Sequence, residues 1–173
     1  TVTVTEQADR LSLPLDQWDT PVVDTGDLGQ LACGDRLTCV APFRMFEAEV
    51  TNVLVAVTDD GWDTYDTLDV PDEILLAPVD CPSPTVCVSA GGNSTDGGRT
   101  WTATDLPASV DRIEALDCAS ANNCTAVGSN DDPARTRRIA LTSDDQGNSW
   151  IAASAMPLSV RSIADIACPT NTT

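Results

Sequence analysis

Apolar residues along this chain come in short runs, such as Val53-Leu54-Val55-Ala56-Val57 and Ile74-Leu75-Leu76-Ala77, separated by clusters of Asp, Asn, Gly, Pro, Ser and Thr. Runs of this length bounded by turn residues predict strands. No segment carries the period of an amphipathic helix, and the turn-rich, Glu-poor vocabulary points the same way. The expected class is all-β.

The cysteines impose a longer period on that pattern. Cys33/Cys39, Cys81/Cys87 and Cys118/Cys124 each enclose five residues, and Cys168 stands alone. Aligned on the first cysteine, the residue two before it is Leu31, Val79, Leu116 and Ile166; the residue five before is Leu28, Leu76, Ile113 and Ile163. An aromatic residue precedes each block: Trp18, Tyr65, Trp101 and Trp150, at 15, 16, 17 and 18 residues. Such spacing marks an internal repeat. Metal sites favour tighter pairs and usually histidine, which this chain lacks, so the repeated C-x5-C reads as disulfides Cys33-Cys39, Cys81-Cys87 and Cys118-Cys124. Reduced thiols serving as small hydrophobes are the alternative. Disulfides at this density imply an oxidising compartment: secreted, periplasmic or cell-surface.

Two of the aromatics end a motif. Ser94-Thr95-Asp96-Gly97-Gly98-Arg99-Thr100-Trp101 and Ser143-Asp144-Asp145-Gln146-Gly147-Asn148-Ser149-Trp150 both read S-x-D-x-G-x-[TS]-W. This resembles the Asp-box, or bacterial neuraminidase repeat, of sialidase-like β-propellers; with C-x5-C it is similar to disulfide-bearing propellers of secreted bacterial proteins. Thr58-Asp59-Asp60-Gly61-Trp62-Asp63-Thr64-Tyr65 is a degenerate copy, with Trp62 in the glycine slot and Tyr65 in the tryptophan slot. The resemblance implies four-stranded antiparallel blades with the box joining the third strand to the fourth. In the best-defined block the four strands are then about 112–118, 124–129, 138–142 and 149–155. It also implies that cysteine hairpins and boxes share one face of a disc, leaving the opposite face for ligands. Physically, aspartate accepts turn amides locally, glycine supplies positive φ, and the aromatic ring is buried between sheets. Asp60, Ser94, Asp96, Gly98, Ser143, Asp145 and Gly147 are thus turn residues. Calcium is the alternative at these Asp-rich segments, but the ligand positions of an EF-hand are not matched, and no cofactor is expected.

The expected organisation is one propeller segment, 1–173, with repeats at about 1–24 (partial), 25–70, 71–107, 108–157 and 158–173 (partial). From second cysteine to aromatic the distances are 26, 14 and 26 residues. The middle block is twelve short, which predicts either a three-stranded blade or residues missing between Asn93 and Ser94. Residues 1–5 read as the third strand of a preceding blade. Cys168 reads as the first half of a fourth pair, which suggests a stretch of a longer propeller; a closed four-blade ring is the alternative.

Composition narrows the function. Nine arginines face twenty-seven acids, a formal charge of −18, with no lysine and no histidine. That excludes His-based triads, Schiff-base lysines and Walker-type phosphate loops. It also opposes nucleic-acid binding, and no apolar run approaches a membrane span. Sialidases use a tyrosine nucleophile, an acid/base carboxylate and three arginines. Here Tyr65 is the single tyrosine and fills an aromatic slot, and Arg112-Ile113-Glu114 is the nearest echo of the family's R-I-P. The expectation is a non-enzymatic scaffold that binds a protein or glycan. A sialidase-like hydrolase fragment and an accessory subunit of a larger complex are the alternatives. Candidate recognition residues are Phe43, Arg44, Met45 and Phe46, expected to begin the loop after the second strand, and Arg135, Arg137 and Arg138, expected in one loop. Asn93, Asn123 and Asn171 fit the N-glycosylation sequon.

Overall fold

A computed structural model describes residues 27–47, 50–71, 74, 78–89, 91–130, 137–157, 159–160 and 162–169. The expected strand at residues 1–5, Trp18, Arg135 and the Asn171 sequon lie outside them. The described residues form strands and turns and no helix, in three antiparallel sheets that follow one another along the chain.

The first sheet contains β1 (Asp27–Leu28), β2 (Ala32–Cys33), β3 (Cys39–Glu47), β4 (Val50–Thr58) and β5 (Asp66–Asp69). Both β1 and β2 pair with β3, so they are one strand position broken in two. Pro42 of β3 lies opposite the break, where it has no N–H to give to the ladder. The second sheet runs β6 (Val79–Asp80), β7 (Cys87–Ser89), β8 (Gly92–Ser94) and β9 (Thr102–Ala103). The third runs β10 (Arg112–Cys118), β11 (Cys124–Ser129), β12 (Arg138–Ser143) and β13 (Ile151–Ala155). The cysteine pairs close the hairpin between first and second strands in every sheet, with Cα atoms 4.0, 4.1 and 4.0 Å apart. Cys168 is free.

The twelve-residue shortfall does not produce the three-stranded blade expected as one outcome. The second sheet keeps four strands, and Asn93 and Ser94 are consecutive in β8, paired with Val88 and Cys87. Its two inner strands have three residues each where β11 and β12 have six. The loop between them has two residues instead of eight. Three, three and six residues lost account for all twelve: the hairpin is cut back at one end, and no strand is missing.

Cores form between successive sheets. Ala32, Val40, Val55 and Val57 meet Val79, Cys81 and Cys87; then Val86 and Val88 meet Ile113, Leu116, Ala126, Ile139, Leu141 and Trp150. Val40, Val55, Val79 and Val88 are fully buried, each contributing about 1.5–3 kcal/mol of apolar burial. β-Branched side chains suit these pleated surfaces, and alternation leaves the intervening positions outward.

The same joint recurs at each step. β6 touches both β2 and β10, so the first strands lie side by side. Asp80 Oδ2 accepts the N–H of Cys118 at 2.9 Å, and Asp117 Oδ2 accepts the N–H of Cys168 at 2.5 Å. Cys168 thus meets Asp117 as Cys118 meets Asp80, although residues 162–169 form no strand. Gly98 lies against Val40 and Gly147 against Val88, the valines that follow Cys39 and Cys87. A Cβ at either glycine would run into the valine side chain.

Candidate functional site

One end of each sheet is built by local hydrogen bonds. In the turn between the third and fourth strands, Asp60 Oδ1 accepts from the Thr58 hydroxyl (2.8 Å) and the Thr64 N–H (2.9 Å), while Oδ2 accepts from the Thr64 hydroxyl (2.6 Å). Asp96 does the same with Ser94 and Thr100, and Asp145 with Ser143 and Ser149. The leading hydroxyl also accepts the N–H four residues on: Trp62, Gly98 and Gly147. Two successive left-handed residues make each bend: Gly61 and Trp62, Gly97 and Gly98, Gln146 and Gly147.

These bonds shape the acidities. The Thr64 and Ser149 hydroxyls hold Asp60 and Asp145 below the ordinary carboxylate value. Burial works against ionisation of Asp96, but the hydroxyl and N–H of Thr100 more than offset it, so its carboxyl is lowered as well. With three donors on each carboxylate, few lone pairs remain for a cation. Among the described residues no group of three His, Cys, Asp or Glu is placed to hold a metal ion.

The cysteine loops repeat a second local device. Asp35 Oδ1 accepts the Thr38 N–H at 2.7 Å, Ser83 Oγ the Val86 N–H at 3.1 Å, and Ser120 Oγ the Asn123 N–H at 3.2 Å. Loop and turn are then tied together: Gly61 and Gly97 donate to the carbonyls of Leu37 and Thr85, and the Gln146 amide donates to Asn122. The aromatics differ more. Tyr65 is exposed and tilted against Trp62, with ring centroids 6.4 Å apart. Trp101 donates from Nε1 to the Gly98 carbonyl at 2.9 Å, and Trp150 is buried. Asn93 is buried and donates to the Gln146 carbonyl, so the folded chain hides that sequon, whereas Asn123 is exposed.

The other end of the third sheet is not regular. Two β-bulges interrupt it: Glu114 in β10 and Ala153 in β13 have no cross-strand partner. Opposite the first bulge lies Gly128, and Glu114 reaches two arginines, Arg112 on its own strand and Arg138 on β12. Arg138 Nε lies 2.6 Å from Glu114 Oε2, and Arg112 Nε lies 3.6 Å from Oε1 and 3.1 Å from Ser129 Oγ. Glu114 and Arg138 are largely buried, so each carries the desolvation of the other.

Beside this cluster opens a cleft of about 520 Å³. The β9–β10 connection contributes Ala108, Ser109 and Asp111; Asn130 and Arg137 flank the β11–β12 loop; Ile139, Ala152, Ala153 and Ala155 complete the wall. The bulge at Ala153 falls within this wall, and bulges often re-aim a strand beside a site.

Sequence reasoning placed some of these residues and misplaced others. Arg137 lines the cleft, whereas Arg138 opens β12, as the strand expected from 138 has it and the arginine loop does not, and is buried against Glu114. Phe43, Arg44, Met45 and Phe46 are not in a loop either. They run within β3, paired with Leu54, Val53, Asn52 and Thr51 of β4, because that hairpin extends to Glu47 and Val50. Phe43 is half-buried. Asp80 and Asp117 were overlooked, although their shared place before the first cysteine was visible in the repeat. Burial raises the Asp80 carboxyl above its ordinary value, the Cys118 N–H counters this, and Asp117 adds to it. Asp111, Asn130 and the alanines carried no local signal.

No helix among the described residues is long and apolar enough to cross a membrane, and three disulfides are consistent with an oxidising compartment. No family model matches the chain, and no curated protein matches it.

Proposed function

We propose that the three sheets are consecutive blades of an Asp-box, sialidase-like β-propeller, and that the protein is a non-enzymatic secreted or cell-surface scaffold binding a protein or glycan partner. The propeller reading is supported by the joint that recurs from sheet to sheet: first strands side by side, an aspartate reaching the next cysteine N–H, and a turn glycine on the preceding valine. The binding reading is carried by the cleft at the loop end of the third sheet, where the repeat departs from regularity. Catalysis of the sialidase kind is disfavoured because Tyr65, the single tyrosine, belongs to the turn end of the first sheet.

The test is a paired measurement on the purified chain: turnover of a fluorogenic sialoside, and binding on glycan and peptide arrays. Binding without turnover is expected, and Ala155→Trp, which fills the cleft, should abolish it while leaving the melting temperature in place. Turnover, or binding indifferent to Ala155→Trp, would overturn the reading.

A further inference from the structure

We propose that the cleft of the third sheet receives the C-terminal end of an extended peptide, with Arg137 taking the terminal carboxylate and the alanine wall taking small apolar side chains. This deepens the binding role proposed above and does not depend on the sheets being propeller blades.

The arginine is the first argument. Its main chain is fixed on both sides by one residue: the Arg137 N–H donates to Asn130 Oδ1 at 2.7 Å, and the Asn130 N–H donates to the Arg137 carbonyl at 3.3 Å. Arg99, Arg112 and Arg138 are each paired with a carboxylate, whereas Arg36, exposed on a cysteine loop away from the cleft, has no ion pair among the described residues. Arg137 is half-buried on the cleft wall and, among the described residues, has no such partner in a chain with threefold more acids than bases. A guanidinium presents a planar fork that matches a carboxylate with two parallel hydrogen bonds.

Size and lining choose among carboxylates. About 520 Å³ accommodates a few residues of a peptide and exceeds what a simple anion needs. Ala152 and Ala155 leave the wall apolar and shallow, and among the described residues no aromatic ring lines it for a sugar to stack on. Asp111 at the rim, with the net charge of −18, disfavours phosphates and polyanions; one carboxylate against one arginine is tolerated. The same field favours basic residues upstream in the ligand.

The experiment is fluorescence anisotropy at low ionic strength with N-terminally labelled Gly-Arg-Ala-Val-Ala, as the free acid and as the C-terminal amide. Saturable binding of the acid is expected, at least about tenfold tighter than the amide, a difference of about 1.4 kcal/mol. Arg137→Gln should erase that preference without shifting the melting temperature. Equal binding of acid and amide, no binding of either at millimolar concentration, or a preference that survives Arg137→Gln overturns the inference. A uronic-acid oligosaccharide is titrated alongside. If it binds through Arg137 while both peptides fail, this inference falls and the scaffold reading above stands; if nothing binds, this inference falls and the array measurement above decides the scaffold reading.

Discussion

The second and third sheets begin from the same plan and diverge at one end only. At the disulfide end they are nearly superimposable in chemistry: a C-x5-C hairpin with a hydroxyl cap, a turn whose aspartate takes three donors, and a glycine against a valine of the sheet before. At the other end the second sheet is trimmed to three-residue strands and a two-residue loop. The third there grows two bulges, a largely buried Glu114–Arg138 pair with Arg112 at its exposed edge, and a cleft. The disulfide end holds the sheets to one another and tolerates little change. The loop end is free to lose twelve residues or to gain a site, as expected where loops ride on a rigid scaffold.

This contrast can be broken where it is strongest. Gly147→Ala places a Cβ into Val88 at φ 77°. Left-handed strain and overpacking together should cost about 2–4 kcal/mol, read from urea unfolding. The matching change at the loop end, Ala155→Ser, should move stability by less than about 0.5 kcal/mol. If both substitutions cost the same, the division of labour is wrong.

Removing one hairpin disulfide is the next test. The pair Cys118→Ala and Cys124→Ala should cost about 2 kcal/mol, because the loop closed is short, and the sheet should persist through its β10–β11 ladder. Near-ultraviolet circular dichroism of the oxidised variant checks this; wholesale loss of structure would mean the hairpins are needed to fold.

The acid response sharpens the comparison further. The depressed carboxyls of Asp60, Asp96 and Asp145 contribute stability that is complete above their unfolded values, about 3.9, and lost as pH falls through their lower folded values. Denaturant midpoints should therefore drop steeply below about pH 4. Asp96→Asn should flatten that limb at a cost near neutrality of about 1 kcal/mol, kept small by solvent screening.

Asp80 has the opposite sign. Its folded value is raised, so stability declines as pH rises from its unfolded value through its folded one. Asp80→Asn keeps an acceptor for the Cys118 N–H and should be neutral below about pH 4 and slightly stabilising above it. A loss of stability at pH 7 would show that charge at this joint matters more than its burial.

The sequence read well wherever partners lie within a few residues. The hydroxyl–Asp–hydroxyl turns and the cysteine pairs span seven positions each, so a short repeated motif exposed Asp96 and Asp145, and spacing exposed all three disulfides. Loops and strand ends read worse. Phe43 to Phe46 looked like the start of a loop because Pro42 and Arg44 interrupt the apolar run, yet the ladder to β4 carries them as strand. Arg138 read both as the start of a strand and as loop charge, because its partner, Glu114, comes from a strand two positions away across the sheet.

What the sequence determined by itself is the all-β class, the repeat, the disulfides and the acidic turns, since each depends on short-range bonds that close at small entropic cost. Only the tertiary structure decided how twelve residues were removed while four strands were kept. It alone paired Glu114 with Arg138 two strands away, and it alone brought Arg137, Asp111 and a wall of alanines around one cleft. Those outcomes depend on register, bulges and the stacking of one sheet on the next. All three are set by contacts between residues far apart in the chain, where no local pattern records the partner.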